Sequence, residues 1–213
     1  MAAPIVYGPT ISTYVRTVRL TLEEKPTSYE LVDVPMMSGA HREAPHLARC
    51  PFARVPTFND NGFELYETSA ITRYINQTMP GQDLQPIDAQ PRARMNQMIG
   101  IVDSYAYPNM ITKIVVQRLV HPMLGAPVDE TAIKDGIPTA ELCLKEFERL
   151  MENGKYLVGD RVTLADLFLA PLMHYLVLTP EGDALMKPRA KLRAWWDLMK
   201  ARNSMASTEP KFG

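Results

Sequence analysis

Strand-forming runs fill the first 80 residues of this chain and then almost cease. That asymmetry limits the fold to a small mixed α/β domain followed by a helical one. "PIVYG" is a short β-branched run ended by Gly8-Pro9. From Ser12 to Glu24 the apolar positions Val15, Val18 and Leu22 recur at helical spacing until Pro26 stops them. "SYELVDV" returns to strand, and Glu43 to Ala48 makes a short helix. "VPTF" and "FELYE" then form a pair across "NDNG", since Asn and Gly tolerate the positive φ of tight turns. Thr68 to Gln77 is helical, with Ile71, Tyr74 and Ile75 on one face. The order is β-α-β-α-β-β-α.

"MPGQDLQPIDAQP" combines Pro, Gly and polar residues without periodicity, as domain junctions do. The expected division is 1–80, a linker at 81–90, and an all-helical domain at 91–213. Helical patterns run from Arg92 to Val120, Asp129 to Glu152, Thr163 to Leu178 and Pro188 to Lys200. In the second, Leu144, Phe147 and Met151 carry the core spacing and Asn153-Gly154 caps the end. "VTLADL" predicts a capping box between Thr163 and Asp166, with Val162 and Leu167 placed for a hydrophobic staple. On capping alone, losing Asp166 would cost on the order of 1 kcal/mol.

A chain of 213 residues, 46% hydrophobic, buries a substantial core. Its net charge of -1 offers no basic excess for nucleic acid, so no nucleic-acid partner is expected. The apolar runs are far shorter than the ~20 residues that span a bilayer, and no membrane insertion is expected. "MAAPIVYGP" lacks the pattern of a secretory signal. Cys50 and Cys143 match no disulfide framework, which points to a reduced, cytoplasmic, soluble protein. His41, His46, His121 and His174 lack metal-ligand spacing, so no metal is expected. The 13 methionines are first of all core filler, although Met36 and Met37 border a plastic apolar pocket.

Candidate chemistry gathers at the ends of the first-domain strands. "YGPTIS" delivers Ser12 to a helix start, where a serine is ordinarily an N-cap but also stands at the positive end of a helix dipole. No Gly-x-Ser-x-Gly elbow makes it a nucleophile, so its chemical use is to donate to a bound anion. In "ELYETSAI", Glu67 and Thr68 open a helix: its free amides suit a carboxylate and Glu67 suits an amine, as in an α-amino acid. A capping pair on a solvated turn is the plain alternative. His41-Arg42 supplies positive charge, or is a solvated pair. Pro56 in "CPFARVPTF" either fixes a strand entry or is a cis-proline beside a ligand.

Together, "YGPTIST", "LEEKPTSYELVDV", "HREAPHLARCPFARVPTF", "LYETSAITRYI", "HPMLG", "KYLVGDRVTLADL" and "LRAWWDLMKAR" resemble the glutathione transferases of the phi-like, serine-dependent class over nearly the whole chain. The resemblance implies a thioredoxin-like first domain, a helical second domain and a homodimer. It implies a detoxifying transferase with glutathione as co-substrate, no tightly bound cofactor, and a hydrophobic electrophile as second substrate. Glutathione peroxidase activity would use the same thiolate.

By the same resemblance, Ser12 donates to the glutathione sulfur. Val55, before a cis Pro56, bonds the cysteinyl backbone. Glu67 and Thr68 hold the γ-glutamyl end, His41 and Arg42 lie near the glycyl carboxylate, and Arg54 joins the site. Ile11, Thr13, Met36, Val116 and Val120 match the electrophile pocket, and Phe52 matches the aromatic key of the dimer. Three positions depart from the pattern: Arg54 stands where Gln is usual, Thr68 where Ser is usual and Ala53 where Gly is usual. A non-catalytic carrier or scaffold of the same fold is the alternative function, and the donor Ser12 argues against it.

Overall fold

The computed structural model describes residues 2–151 and 153–211. Its most local feature is the expected hairpin. β3 (Thr57–Asp60) and β4 (Phe63–Tyr66) are joined by Asn61 and Gly62 alone, at φ 52 and 92. A two-residue turn of this hand requires positive φ at both positions, which explains the Asn-Gly pair. β1 (Ile5–Tyr7) pairs antiparallel with β3 and parallel with β2 (Glu30–Val32), giving the order β2-β1-β3-β4. The parallel pair needs a crossover, and α1 (Thr13–Glu24) supplies it.

A single 3₁₀ turn (Ala40–Arg42) and the short α2 (Ala44–Leu47) lead to β3, and α3 (Thr68–Thr78) leaves β4. Val6 lies opposite Phe58 in the ladder, and both pack with Val15, Val18, Leu22, Ile71 and Ile75 in one buried cluster. The helical stripes legible in the sequence are therefore the faces that meet this core.

Two units emerge: Met1–Leu84 together with Ala201–Gly213, and Gln85–Lys200. The second is helical throughout its regular elements. α4 (Ala89–Ile101) runs into a segment wound in the wider π register (Val102–Val120) and then α5 (His121–Met123). The sequence predicts one ordinary helix from Arg92 to Val120. Instead, the amide of His121 reaches back five residues to Val116, and Pro108, which has no amide to give, lies within the widened stretch.

α6 (Glu130–Leu150) starts at Asp129, whose carboxylate accepts from the amides of Thr131 at 2.9 Å and Ala132 at 3.0 Å. The expected helix end at Glu152 lies outside the described residues. Gly154 is not a left-handed cap. A Cβ there would come within 2.4 Å of the Gly159 carbonyl oxygen, so close backbone approach is what demands glycine.

α7 (Leu164–Leu176), α8 (Pro180–Met186) and α9 (Ala190–Lys200) complete the helical unit. The sequence reading omits α8. Its start was nonetheless legible: Thr179 caps the amide of Gly182 at 3.0 Å and Pro180 takes a first-turn position. α10 (Asn203–Ser207) belongs with the first unit, whereas the expected division places it with the helical domain.

Side chains of α1 explain the return of α10. Buried Arg16 donates to the Met205 carbonyl at 2.9 Å, and Arg19 to the carbonyls of Thr208 and Ser207 at 3.2 and 3.3 Å. Glu24 accepts from Arg202 at 2.6 and 2.7 Å and from the Ser204 hydroxyl at 2.5 Å. Charged residues on a helix read as a solvated stripe, and no local pattern distinguishes arginines that hold a distant backbone.

The capping box at the start of α7 is present, but Asp166 does more than cap. Fully buried, its carboxylate accepts from the Thr163 amide (2.7 Å) and hydroxyl (2.9 Å), the Leu157 amide (2.9 Å) and the Trp195 indole (2.8 Å). Burial pushes the carboxyl above its ordinary value, and those four bonds pull it back. A raised folded value means that this group's contribution to stability is full below the unfolded pKa and shrinks as pH rises through the folded one.

Asp166→Ala leaves four donors without their acceptor. At about 1–3 kcal/mol for each one stranded in the interior, the expected loss is at least about 4 kcal/mol. That exceeds the 1 kcal/mol order of a simple cap. Urea denaturation of wild type and variant checks it, and a loss near 1 kcal/mol would mean that Leu157 and Trp195 find other partners.

Candidate functional site

Three strands meet at Thr57. It pairs with Tyr7 of β1 on one side and Tyr66 of β4 on the other. Pro56 therefore stands level with Gly8, which leads to Ser12, and with Glu67, which opens α3. The Val55–Pro56 peptide is cis. Gly8 keeps the first two segments close. At φ 146, a Cβ on it would lie 2.4 Å from Val15 Cγ2 and 3.2 Å from Val55 Cβ. The Gly8 amide also bonds the Val32 carbonyl at 2.9 Å, bringing the end of β2 to the same edge.

Ser12 is the N-cap of α1, and its Oγ accepts from the Val15 amide at a long 3.4 Å. The two readings of this serine are compatible. The cap occupies a lone pair, and the hydroxyl proton remains available to an acceptor. No acidic side chain sits in the first turn of α1 to compete for its positive end. Beside it, Thr13 is buried and Ile11 partly exposed.

Glu67 adopts φ 70, an uncommon conformation for a residue with a Cβ, and makes no side-chain cap bond to α3. Its carboxylate is exposed, whereas Thr68 is buried. The first-turn amides of Thr68 and Ser69 have no partner within the helix. An exposed carboxylate beside outward amides is what binding an amino-acid end group requires.

The positive side is built from α2 and the turns around it. Partial burial first, then the neighbouring charges of Arg42, His46 and Arg54, holds His41 below its ordinary pKa. His41 Nδ1 is buried without a partner among the described residues. Among the described residues neither Arg42 nor Arg54 forms an ion pair, although most other close cation–carboxylate contacts are short. Ala53, which precedes Arg54, has φ 52, which explains why glycine suits that position. Arg49 stacks over the Tyr7 ring at 4.2 Å and ties the α2 region to β1.

Ser12, Val55, Pro56, Glu67 and Thr68 thus converge on one sheet end, with the His41, Arg42 and Arg54 cluster joined to it through the loop that ends at Pro56. Met36 is half-buried in the segment after β2. Val116 and Val120 lie half-buried on the π segment of the helical unit. Phe52 is 65% exposed, its ring edge-on to Tyr66 at 6.0 Å. Sequence reasoning gave no role to Gly8 or His46, although a glycine at a strand end before proline signals a close approach.

Comparison with known proteins agrees with this geometry. Residues 5–77 match the family model of the glutathione S-transferase N-terminal domain, and residues 107–203 match that of its C-terminal domain. A glutathione S-transferase of Hyoscyamus muticus is 34% identical over 191 residues, covering 89% of this chain and 90% of its own. The glutathione S-transferase F10 of Arabidopsis thaliana is 32% identical over 210 residues, covering 97% and 96%. The crystal structure of glutathione transferase F7 from Populus trichocarpa superposes with a TM-score of 0.88 at 30% identity, covering 97% of each chain. With a thioredoxin-like unit, a helical unit and relatives of this similarity over most of its length, the chain belongs to the glutathione S-transferase family, as a phi-like member and a transferase enzyme.

Proposed function

We propose that this transferase lays glutathione along the Thr57 end of its sheet, ionises the thiol at Ser12 and delivers the thiolate to an apolar electrophile. The observation that carries this is the strand register, which brings the segments of Ser12, Val55 and Glu67 level with one another. Glu67 takes the γ-glutamyl amine, and the amides at Thr68 take its carboxylate. The Val55 main chain pairs with the cysteinyl backbone. His41, Arg42 and Arg54 face the glycyl carboxylate: the two guanidiniums, which form no ion pair among the described residues, supply the charge, and His41 supplies a ring nitrogen.

The chemistry follows from the start of α1. A free thiol ionises near pH ~8.5, and a hydroxyl donor at a helix N-terminus favours its anion. A pKa lowered by about two units corresponds to ~2.7 kcal/mol of preference for the thiolate. The thiol proton leaves to solvent. The sulfur then forms a bond to the electrophilic carbon while the leaving group departs with its electron pair. Ile11, Thr13 and Met36 offer the apolar contacts on this unit. Holding both reactants together supplies the rest of the acceleration.

We further infer a cytoplasmic, detoxifying homodimer. Its two thiols, Cys50 and Cys143, are free and buried, as suits a reducing compartment. The Phe52 ring is exposed, which supports its burial against a partner subunit. A fully buried Phe contributes about 1.5–3 kcal/mol, and a two-fold dimer uses it twice.

Three measurements test these assignments. Ser12→Ala should abolish most of the ultraviolet thiolate absorbance formed on mixing with glutathione near pH 7. It should also lower turnover by ~10²–10³, as loss of a preorganised donor does; conjugation at the wild-type rate would remove Ser12 from the chemistry. Glu67→Ala should weaken glutathione far more than the electrophile, because the amine loses its partner. Equal losses would point instead to a folding defect at the start of α3. Phe52→Ala should shift the protein toward monomer in sedimentation, and a variant still tightly dimeric at submicromolar concentration would rule out Phe52 as the key.

A further inference from the structure

We propose that His46 is a positioning residue that aims the Val55 amide at glutathione. The ring is 3% exposed, and its Nε2 lies 2.8 Å from the Arg54 carbonyl oxygen. A carbonyl can only accept, so Nε2 carries the proton. That carbonyl shares a peptide plane with the Val55 N–H, and this peptide is trans, since the cis bond is the next one, Val55–Pro56. In a trans peptide the C=O and N–H point in opposite directions. Fixing the Arg54 carbonyl on His46 therefore turns the Val55 amide away from His46.

The segment needs this anchor. Upstream, the Arg49 and Cys50 amides return to the His46 carbonyl, both at 2.9 Å, and the Ala53 amide to Cys50 at 3.1 Å. Ala53 then breaks the turn with φ 52, and regular pairing does not resume until Thr57. Across the three residues between, the His46 bond spans the gap from α2 to the recognition backbone. His46 Nδ1 has no partner among the described residues. The residue is thus a buried polar ring whose one protein hydrogen bond is spent on Arg54, where an apolar side chain would fill the space without fixing the peptide.

This proposal rests on the assignment of Val55 to glutathione, and the expected effect follows from that role. A peptide free to rotate is competent for only a fraction of the time, and apparent affinity falls by that fraction. The contact is made alike in ground and transition states, so KM moves and kcat does not. His46→Leu should raise the KM for glutathione and the Kd for S-methylglutathione by tenfold or more, with kcat at saturation within threefold of wild type. His46→Gln, whose amide can donate to the same carbonyl, should stay within threefold in all three. An unchanged KM in His46→Leu overturns the proposal, as does equal impairment of the Leu and Gln variants, the mark of a role in packing alone.

If His46→Leu does not fold, nitrogen-15 histidine spectra of the wild-type protein decide. A slowly exchanging Nε2–H that shifts on saturation with S-methylglutathione supports the proposal, and an Nδ1-protonated ring overturns it. Failure of the glutathione assignment looks different: wild type itself would not bind S-methylglutathione in calorimetry, which removes both readings.

Discussion

Everything proposed for the first unit depends on the two-sided pairing of Thr57. Its neighbour Phe58 lies opposite Val6 and is buried in the core, while Pro56 faces the open end of the sheet. A one-residue slip of β3 would move every side chain to the other face and draw Phe58 out of the core. Burial of such a ring contributes about 1.5–3 kcal/mol, more than the hydrogen bond or two that a shifted ladder could regain. The core therefore fixes the register. The register in turn sets Val55 beside Gly8 and Glu67 beside Pro56, so packing on one side of the sheet determines the geometry of the end proposed to bind glutathione.

Charge is used in two distinct ways in this molecule. Where it builds architecture it is matched. Arg16 and Arg19 hold backbone carbonyls, Glu24 is bound by Arg202 and Ser204, and Lys25 donates to the carbonyls of Asn76 and Gln82, both at 3.1 Å. Burying a polar side chain without a partner is costly, and each of these side chains has at least one. Around the sheet end the rule lapses. Among the described residues Arg42 and Arg54 form no ion pair with a carboxylate, a buried His41 nitrogen has no partner, and Glu67 makes no cap bond.

The same division explains what the sequence revealed. Turn chemistry, caps and apolar stripes are local, so the Asn61-Gly62 hairpin, Ser12 as N-cap, the Thr163–Asp166 box and the faces of Val15, Val18, Ile71 and Ile75 were legible. Features joining distant segments were not. The arginines that bring α10 back to α1 act across more than 180 residues, and the Trp195 and Leu157 bonds to Asp166 come from other parts of the chain. The π register beyond Val102 keeps the helical direction, so periodicity alone gives no warning of it. The Ser12, Glu67 and Val55 assignments came from family resemblance. Only the structure brings their segments together.

Two helix starts, α1 and α3, flank the Thr57 end, and they are finished differently. α1 is capped by Ser12 through a long 3.4 Å contact, a weak bond at the edge of hydrogen-bonding geometry. α3 is not capped by Glu67 at all, whose φ of 70 departs from the extended backbone usual at an N-cap. A protein selected for stability alone would tighten the first and relax the second, gaining on the order of 1 kcal/mol at each. Both remain as they are in a sheet end otherwise rigidly registered. Under the proposed function the reason is direct: the ligand supplies an acceptor at each helix start. The thiolate becomes the acceptor for the Ser12 hydroxyl, and the γ-glutamyl carboxylate becomes the acceptor for the amides that Glu67 leaves open. One anion at each helix start is what glutathione supplies once its thiol has ionised: the contact at α3 holds thiol and thiolate alike, and the contact at α1 is the one that favours the reactive form.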